Sequence, residues 1–95
     1  MKIGGGVNGG AVEGAIEGIS EGLTEGLKTK FIDLVKVILS EEGNRIPFYA
    51  NKMSESEKNI ERYFKIFREH NLIEYRGSKR TGGYYLTEQM KNKLK

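Results

Sequence analysis

The sequence predicts an α+β fold in which three helices are followed by a two-stranded hairpin and preceded by a glycine-repeat arm. Apolar residues recur at helical spacing between positions 31 and 67, and short β-branched and aromatic runs flank a glycine-bounded turn near the C-terminus. Nine of the thirteen glycines lie before residue 27. We therefore divide the 95-residue chain into an arm, residues 1–27, and a domain, residues 28–95.

The arm is a four-residue repeat with glycine at positions 6, 10, 14, 18, 22 and 26. Glycine costs roughly 1 kcal/mol relative to alanine in a helix, so an isolated helix of this composition is not expected. A glycine every fourth residue also leaves a groove that a second backbone can approach. Two alternatives stay open: a flexible, disordered linker, or a partly helical arm that forms on contact with a partner. In the second case residues 1–10 are expected to be disordered, and the part from about Gly18 to run into the first domain helix.

The first helix of the domain is predicted over residues 29–44. Its apolar residues have the spacing of a helix with one buried face, at Phe31, Leu34, Val35, Ile38 and Leu39. Gly43 followed by Asn44 is a typical C-terminal stop. A second, short helix is predicted to begin at Pro47, with Ile46 extended before it because a residue preceding proline disfavours helical geometry.

The clearest helical pattern covers residues 56–70. Ser56 is a suitable N-cap, and Asn71 suits the left-handed position after the last turn. The apolar side chains share one face and the basic ones another, with Ile60, Tyr63, Phe64 and Phe67 on the first and Lys58, Arg62 and Lys65 on the second.

The C-terminal part predicts a hairpin. The runs LIEYR, residues 72–76, and YYLT, residues 84–87, have the composition of short strands. Between them GSKRTGG, residues 77–83, has glycines at both ends and two cations at its centre, which is typical of a hairpin turn. Residues 88–95 are expected to form a short helix or a frayed tail.

The order of these elements predicts a winged helix-turn-helix. The second helix is expected to end near Met53 and the third to start near Ser56, so that a turn of about three residues joins them. The hairpin that follows would be the wing.

The stretch SEKNIERYFKIFREHNLIEYRGSKRTGGYYLT, residues 56–87, resembles the recognition helix and wing of bacterial winged helix-turn-helix domains. The glycine repeat and the Thr-Gly-Gly-Tyr of the wing together are similar to the C-terminal end of RecG-like helicase-related predicted transcriptional regulators. Members of that family carry a Schlafen-type AlbA domain upstream. The resemblance covers nearly the whole chain, and a chain that begins inside a repeat is expected to be a segment of a longer protein.

The resemblance implies a DNA-binding domain of a bacterial transcriptional regulator, with the helix 56–70 in the major groove and the wing 77–83 on the backbone. Asn pairs with adenine, Arg and Lys pair with guanine, and cations further along the helix or on a wing meet phosphates. The candidate DNA-binding residues are Ser56, Lys58, Asn59, Arg62, Lys65, Lys79 and Arg80.

A protein-interaction or oligomerisation module without DNA binding is the alternative. Lys, Arg and Asn are ordinary on a solvated helix face, and Glu55, Glu57 and Glu61 lie where phosphates would approach. The chain also departs from the family at its second helix, where Pro47–Met53 replace a Leu-Ala-Glu-Lys-Leu-Gly type of sequence.

Charge favours a polyanionic partner for the domain. Residues 1–27 carry one lysine and four glutamates, whereas residues 28–95 carry fifteen basic and nine acidic residues. Double-stranded DNA is the expected partner, and a homodimer through residues 11–39 is a further expectation.

Several classes of function are not expected. The chain has no cysteine and one histidine, so no metal site is predicted, and no residue pair has the pattern of a nucleophile and its base. We expect no enzyme activity, no cofactor or small-molecule ligand and no membrane segment. The absence of cysteine is compatible with a cytoplasmic protein.

Overall fold

The computed structural model describes residues 9–19 and 22–93. Their elements in chain order are the helices and strands α1 (Gly9–Glu17), α2 (Glu25–Ser40), α3 (Ile46–Met53), α4 (Glu57–Glu69), β1 (Ile73–Arg76), β2 (Gly83–Leu86) and α5 (Glu88–Lys93). The expectation of disorder over residues 1–8 lies outside the described residues, whereas Gly9 and Gly10 are helical.

Helix α1, in the arm, packs against α2 and α5 of the same chain. Its Val12 and Ile16, one turn apart, are fully buried in the core. The expectation that the part from about Gly18 would run into the first domain helix holds only for its last residues, since α2 begins at Glu25. Gly22 has a φ of +85°, which turns the chain, and α2 begins anew with Thr24 as its N-cap. The helix forms in the earlier repeats because they meet the apolar surfaces of α2 and α5.

Helix α2 is the central element of the core. It buries four of the five predicted apolar residues, and Leu39 is half-buried. The Phe31 ring meets that of Phe67 of α4 edge-on, with their centroids 5.0 Å apart. The helix ends at Ser40 with Glu41 as its C-cap, earlier than the predicted stop, and Gly43, with a φ of +90°, lies in the turn that follows.

Helices α3 and α4 form the helix-turn-helix. Ser54, with a φ of +55°, ends α3, and Ser56 caps α4, so the turn has the predicted length. The expectation of an extended Ile46 is wrong, because α3 already begins there. Arg45, the N-cap of α3, is extended instead. Before it, two backbone hydrogen bonds join Gly43 and Asn44 to Tyr84 of β2.

Strands β1 and β2 form the antiparallel wing, with Ile73 opposite Leu86 and Arg76 opposite Gly83. Gly83 allows the approach of the α2–α3 loop, because a Cβ there would overlap the carbonyl group of Gly43. Helix α5 follows and buries Met90. The architecture is therefore the predicted α+β winged helix-turn-helix.

Candidate nucleic-acid interface

The outward face of α4 is basic. Ile60, Phe64 and Phe67 are buried on its inner face. The predicted contact residues Lys58, Arg62 and Lys65 are all exposed on the opposite face. The separation of apolar and basic residues expected from their spacing is confirmed.

Ser56 caps the start of α4. Its Oγ accepts a hydrogen bond of 3.1 Å from the backbone N–H of Asn59. An N-cap of this kind satisfies one of the free amides of the first helical turn. The hydroxyl therefore has a structural partner, while Ser56 itself remains exposed at the N-terminal end of α4.

A chain of side chains joins α2 to this end of α4. Lys30 forms an ion pair with Glu55, whose Oε1 accepts a hydrogen bond of 3.0 Å from Nδ2 of Asn59. The Oδ1 of Asn59 accepts a bond of 3.0 Å from Nη2 of Arg62. We call Lys30, Glu55, Asn59 and Arg62 the α2–α4 relay.

The relay changes the electrostatic role of Glu55. The hydrogen bond from Lys30, and then that from Asn59, lower the pKa of Glu55, and the same ion pair raises the pKa of Lys30. The Glu55 side chain is only 12% exposed. Its charge is therefore matched inside the protein, and it opposes an approaching phosphate less than the sequence suggests.

Glu57 and Glu61 lie on the side of α4 that faces the wing. Both line a groove of about 200 Å³ together with Tyr75 and Tyr84 of the wing. Next to it, Lys65 and Arg68 line a groove of about 320 Å³. Arg68 was not among the predicted residues, although its place three positions after Lys65 is a helical-face signal that could have found it.

The wing tip carries Lys79 and Arg80, both exposed. Hydrogen bonds within the turn hold it, since the carbonyl oxygen of Ser78 accepts from the Gly82 N–H at 2.7 Å and from the Tyr75 hydroxyl at 2.6 Å. Gly77 supplies the left-handed residue that the turn needs, with a φ of +98°. The two predicted cations thus project from an ordered turn.

Arg45 connects the wing tip to the start of α3. Its Nη1 donates a hydrogen bond of 3.1 Å to the carbonyl oxygen of Arg80. Both residues line a groove of about 520 Å³ between the wing and α3. Arg45 also lines the groove beside Glu57 and Glu61, so it stands between the wing and α4. Sequence reasoning missed this residue, because its role depends on a contact 35 positions away.

The structure brings Ser56, Asn59 and Arg62 together and leaves Lys58 and Lys65 beside them on one face. Besides the basic face of α4, Lys79 and Arg80 form a second basic patch at the tip of the wing. Over the described ranges 9–19 and 22–93, we find no group of three or more acidic or histidine side chains placed to hold a metal ion. None of the helices in these ranges has the length and apolar character needed to cross a membrane.

Known structures share this architecture. A scan against models of protein families finds no match, and a search of curated proteins finds none either. A MarR family transcription regulator has a TM-score of 0.62 and 22% identity over 90% of this chain. The multiple antibiotic-resistance repressor MarR from Listeria monocytogenes has a TM-score of 0.64 and 12% identity, also over 90%. The transcriptional regulator SlyA has a TM-score of 0.58 and 22% identity over 87%.

The chain spans only part of these structures, with 54% of the first, 55% of the second and 62% of the third covered. At these identities the similarity concerns the fold. The chain therefore has a winged helix-turn-helix fold similar to that of MarR-family and SlyA transcription regulators.

Proposed function

We propose that the chain is the DNA-binding domain of a bacterial transcriptional regulator, with α4 in the major groove and the wing, residues 77–83, on the flanking backbone. The observation that carries the proposal is the exposed basic face of α4, which lies opposite its buried face in a helix-turn-helix. The transcription regulators with the same fold add support.

The candidate residues divide between base edges and phosphates. Lys58, Asn59 and Arg62 lie in the N-terminal half of α4, the part of such a helix that reaches base edges. Lys65, further along the helix, and Lys79 and Arg80 on the wing suit phosphates. We add Arg45 as a residue that holds the wing tip toward the same side.

The test is binding of the 95-residue chain to random duplex DNA at two salt concentrations. Affinity should fall with salt, with a slope of about −0.9 for each phosphate contact in a double-logarithmic plot. Arg80→Ala should make the salt dependence less steep by the contribution of about one phosphate contact. Arg62→Ala should weaken binding to a selected site by about 1–3 kcal/mol. Lys93→Ala, an exposed lysine on α5, is the control and should bind like the wild type.

An interaction module is the second candidate, favoured by Glu57 and Glu61 in the groove between α4 and the wing. Two carboxylates against the one guanidinium of Arg45 give this groove a negative balance, which fits a basic protein segment better than a phosphate backbone. Absence of DNA binding at low salt would support this candidate and contradict the first.

We further propose that the chain belongs to the RecG-like helicase-related regulators and forms a homodimer through residues 11–39. The glycine repeat and the Thr-Gly-Gly-Tyr wing support the family. Support for the dimer comes from Gly14, where an added Cβ would meet nothing within 4 Å, so that this side of α1 is open to a second copy. A domain of this kind would have no enzyme activity and would act in the cytoplasm, where bacterial DNA lies.

A further inference from the structure

Asn59 occupies the base-reading half of α4, but its side-chain amide is engaged on both sides. Nδ2 donates to Glu55 and Oδ1 accepts from Arg62, each at 3.0 Å. An asparagine that pairs with adenine must turn both Oδ1 and Nδ2 toward the same base edge. In Asn59 the second N–H and the second lone pair of Oδ1 would have to serve, and the bonds to Glu55 and Arg62 already fix the plane of the amide, so that turning it toward a base edge outside that plane would break both bonds.

Glu55, which accepts the bond from Asn59, is itself held by a residue of α2. Its side chain is largely buried, and it is ion-paired with Lys30 of α2. Releasing the Asn59 amide would leave the Glu55 carboxylate with one partner fewer in a partly desolvated position, which carries a free-energy cost. The relay therefore favours the orientation of Asn59 that the structure has.

Arg62, unlike Asn59, keeps most of its hydrogen-bond donors available. One Nη2 donor is used on Asn59, while the rest of the planar guanidinium fork lies on the exposed face of α4. A guanidinium whose orientation is set by a neighbouring acceptor loses less side-chain entropy when it forms two further bonds. The O6 and N7 atoms of guanine are the base acceptors that match such a fork.

We propose that Arg62 is the base-reading residue of α4 and that Asn59 is a positioning residue, held by Glu55 and Lys30, so that the domain selects guanine at this position of its site. The inference rests on the proposed DNA-binding function and names the base and the residue that reads it. It replaces the expectation that Asn59 pairs with adenine.

The test is selection of binding sites from a random duplex DNA library by the full chain. The wild type should enrich a guanine at one position, roughly tenfold or more over the other bases. Arg62→Ala should lose that preference, whereas Lys93→Ala, which removes an exposed cation of α5 outside the proposed interface, should keep it. Asn59→Ala should keep guanine with a preference reduced several-fold. Loss of an adenine preference in Asn59→Ala, with guanine unchanged in Arg62→Ala, would overturn the proposal.

Substitutions of Lys30 test whether the α2–α4 relay sets the orientation of Arg62. A purely structural role of Lys30 would leave the guanine preference unchanged. Lys30→Met should reduce the guanine preference several-fold, and Lys30→Arg, which keeps a cation beside Glu55, should restore it. Equal base preferences in the wild type and Lys30→Met would show that the relay does not position Arg62 and would overturn that part of the proposal.

A measurement without DNA separates this inference from the proposed function. In the free protein, NMR titration of Glu55 should give a pKa below the ordinary glutamate range, and Lys30→Met should return it toward that range. An ordinary Glu55 pKa in the wild type would overturn the relay even if DNA binds. A lowered Glu55 pKa with no DNA binding at any salt concentration would overturn the proposed function and, with it, base reading by Arg62.

Discussion

The ion pair with Lys30 changes the effect that the charge of Glu55 has on an approaching phosphate. In the sequence it is a carboxylate at the start of a basic helix, where it would repel phosphates. In the folded chain its ion pair with Lys30 and its hydrogen bond from Asn59 match that charge internally. The acids that remain near the basic face are Glu57 and Glu61, and they line the groove toward the wing.

The ion pair makes stability depend on pH in the acid range. Because the pKa of Glu55 is lower in the folded chain than its ordinary value of 4.5, ionised Glu55 stabilises the fold above that pH. This stabilisation is lost as the pH falls through the lowered folded pKa. Thermal unfolding followed by circular dichroism should therefore show a drop in Tm on acidification that is smaller in Lys30→Met.

Glu57→Gln is the control for this experiment, because Glu57 is an exposed glutamate in the first turn of α4, two positions after Glu55. It should leave the acid-induced drop in Tm close to that of the wild type. An equal drop in the wild type and Lys30→Met would contradict a stabilising role for the ion pair.

Helix α1 exists because burial outweighs a poor helix propensity. Full burial of a valine or isoleucine side chain contributes about 1.5–3 kcal/mol, whereas each helical glycine costs roughly 1 kcal/mol. Val12 and Ile16 are both fully buried, and Lys28 of α2 adds an ion pair to Glu17 at 2.6 Å. The partner that the repeat requires is thus present in the same chain.

Gly14→Ala should raise the free energy of unfolding by about 0.5–1 kcal/mol in urea titrations. Gly14 is helical and exposed, and an added Cβ meets nothing within 4 Å. Gly22→Ala is the matched comparison, because its Cβ also meets open space but its φ is +85°. That substitution should be destabilising.

The same variant tests the proposed homodimer. If a second copy uses the glycine side of α1, light scattering should show weaker association for Gly14→Ala than for the wild type. A lower unfolding free energy for Gly14→Ala with unchanged association would contradict the open environment of Gly14.

Over the residues that the structure describes, the core is continuous from α1 to α5. One cluster includes Val12 and Ile16 of α1, Phe31 of α2, Phe64 of α4 and Met90 of α5. A boundary between residues 27 and 28 stays a prediction, and it would separate side chains of this cluster.

A chain of residues 28–95 should therefore unfold at a lower temperature than residues 1–95. It lacks the buried residues of α1 and the Thr24 cap of α2. Scanning calorimetry of both chains measures the difference, and Ile16→Ala in the full chain should lose about 2–5 kcal/mol of stability through the lost burial and the cavity left behind. Equal stability of the two chains would instead support the predicted boundary.

Much of the fold followed from local patterns. The buried face of α2, the cap at Ser56, the left-handed Asn71 and the glycine-bounded wing turn all depend on residues close in sequence. Helical periodicity, capping and turn chemistry act over a few residues, so they can be read along the chain. The exposed basic face of α4 followed for the same reason.

The remaining features of the fold and of the candidate site depend on contacts between residues distant in sequence. The placement of α1, the pairing of Lys30 with Glu55 and the bond from Arg45 to Arg80 join segments far apart in the chain. Local propensity disfavoured a helix in the glycine repeat, and only burial against α2 and α5 reversed that preference. A side chain's charge and hydrogen-bonding capacity are written in the sequence, but the partner that uses them is determined when the helices pack.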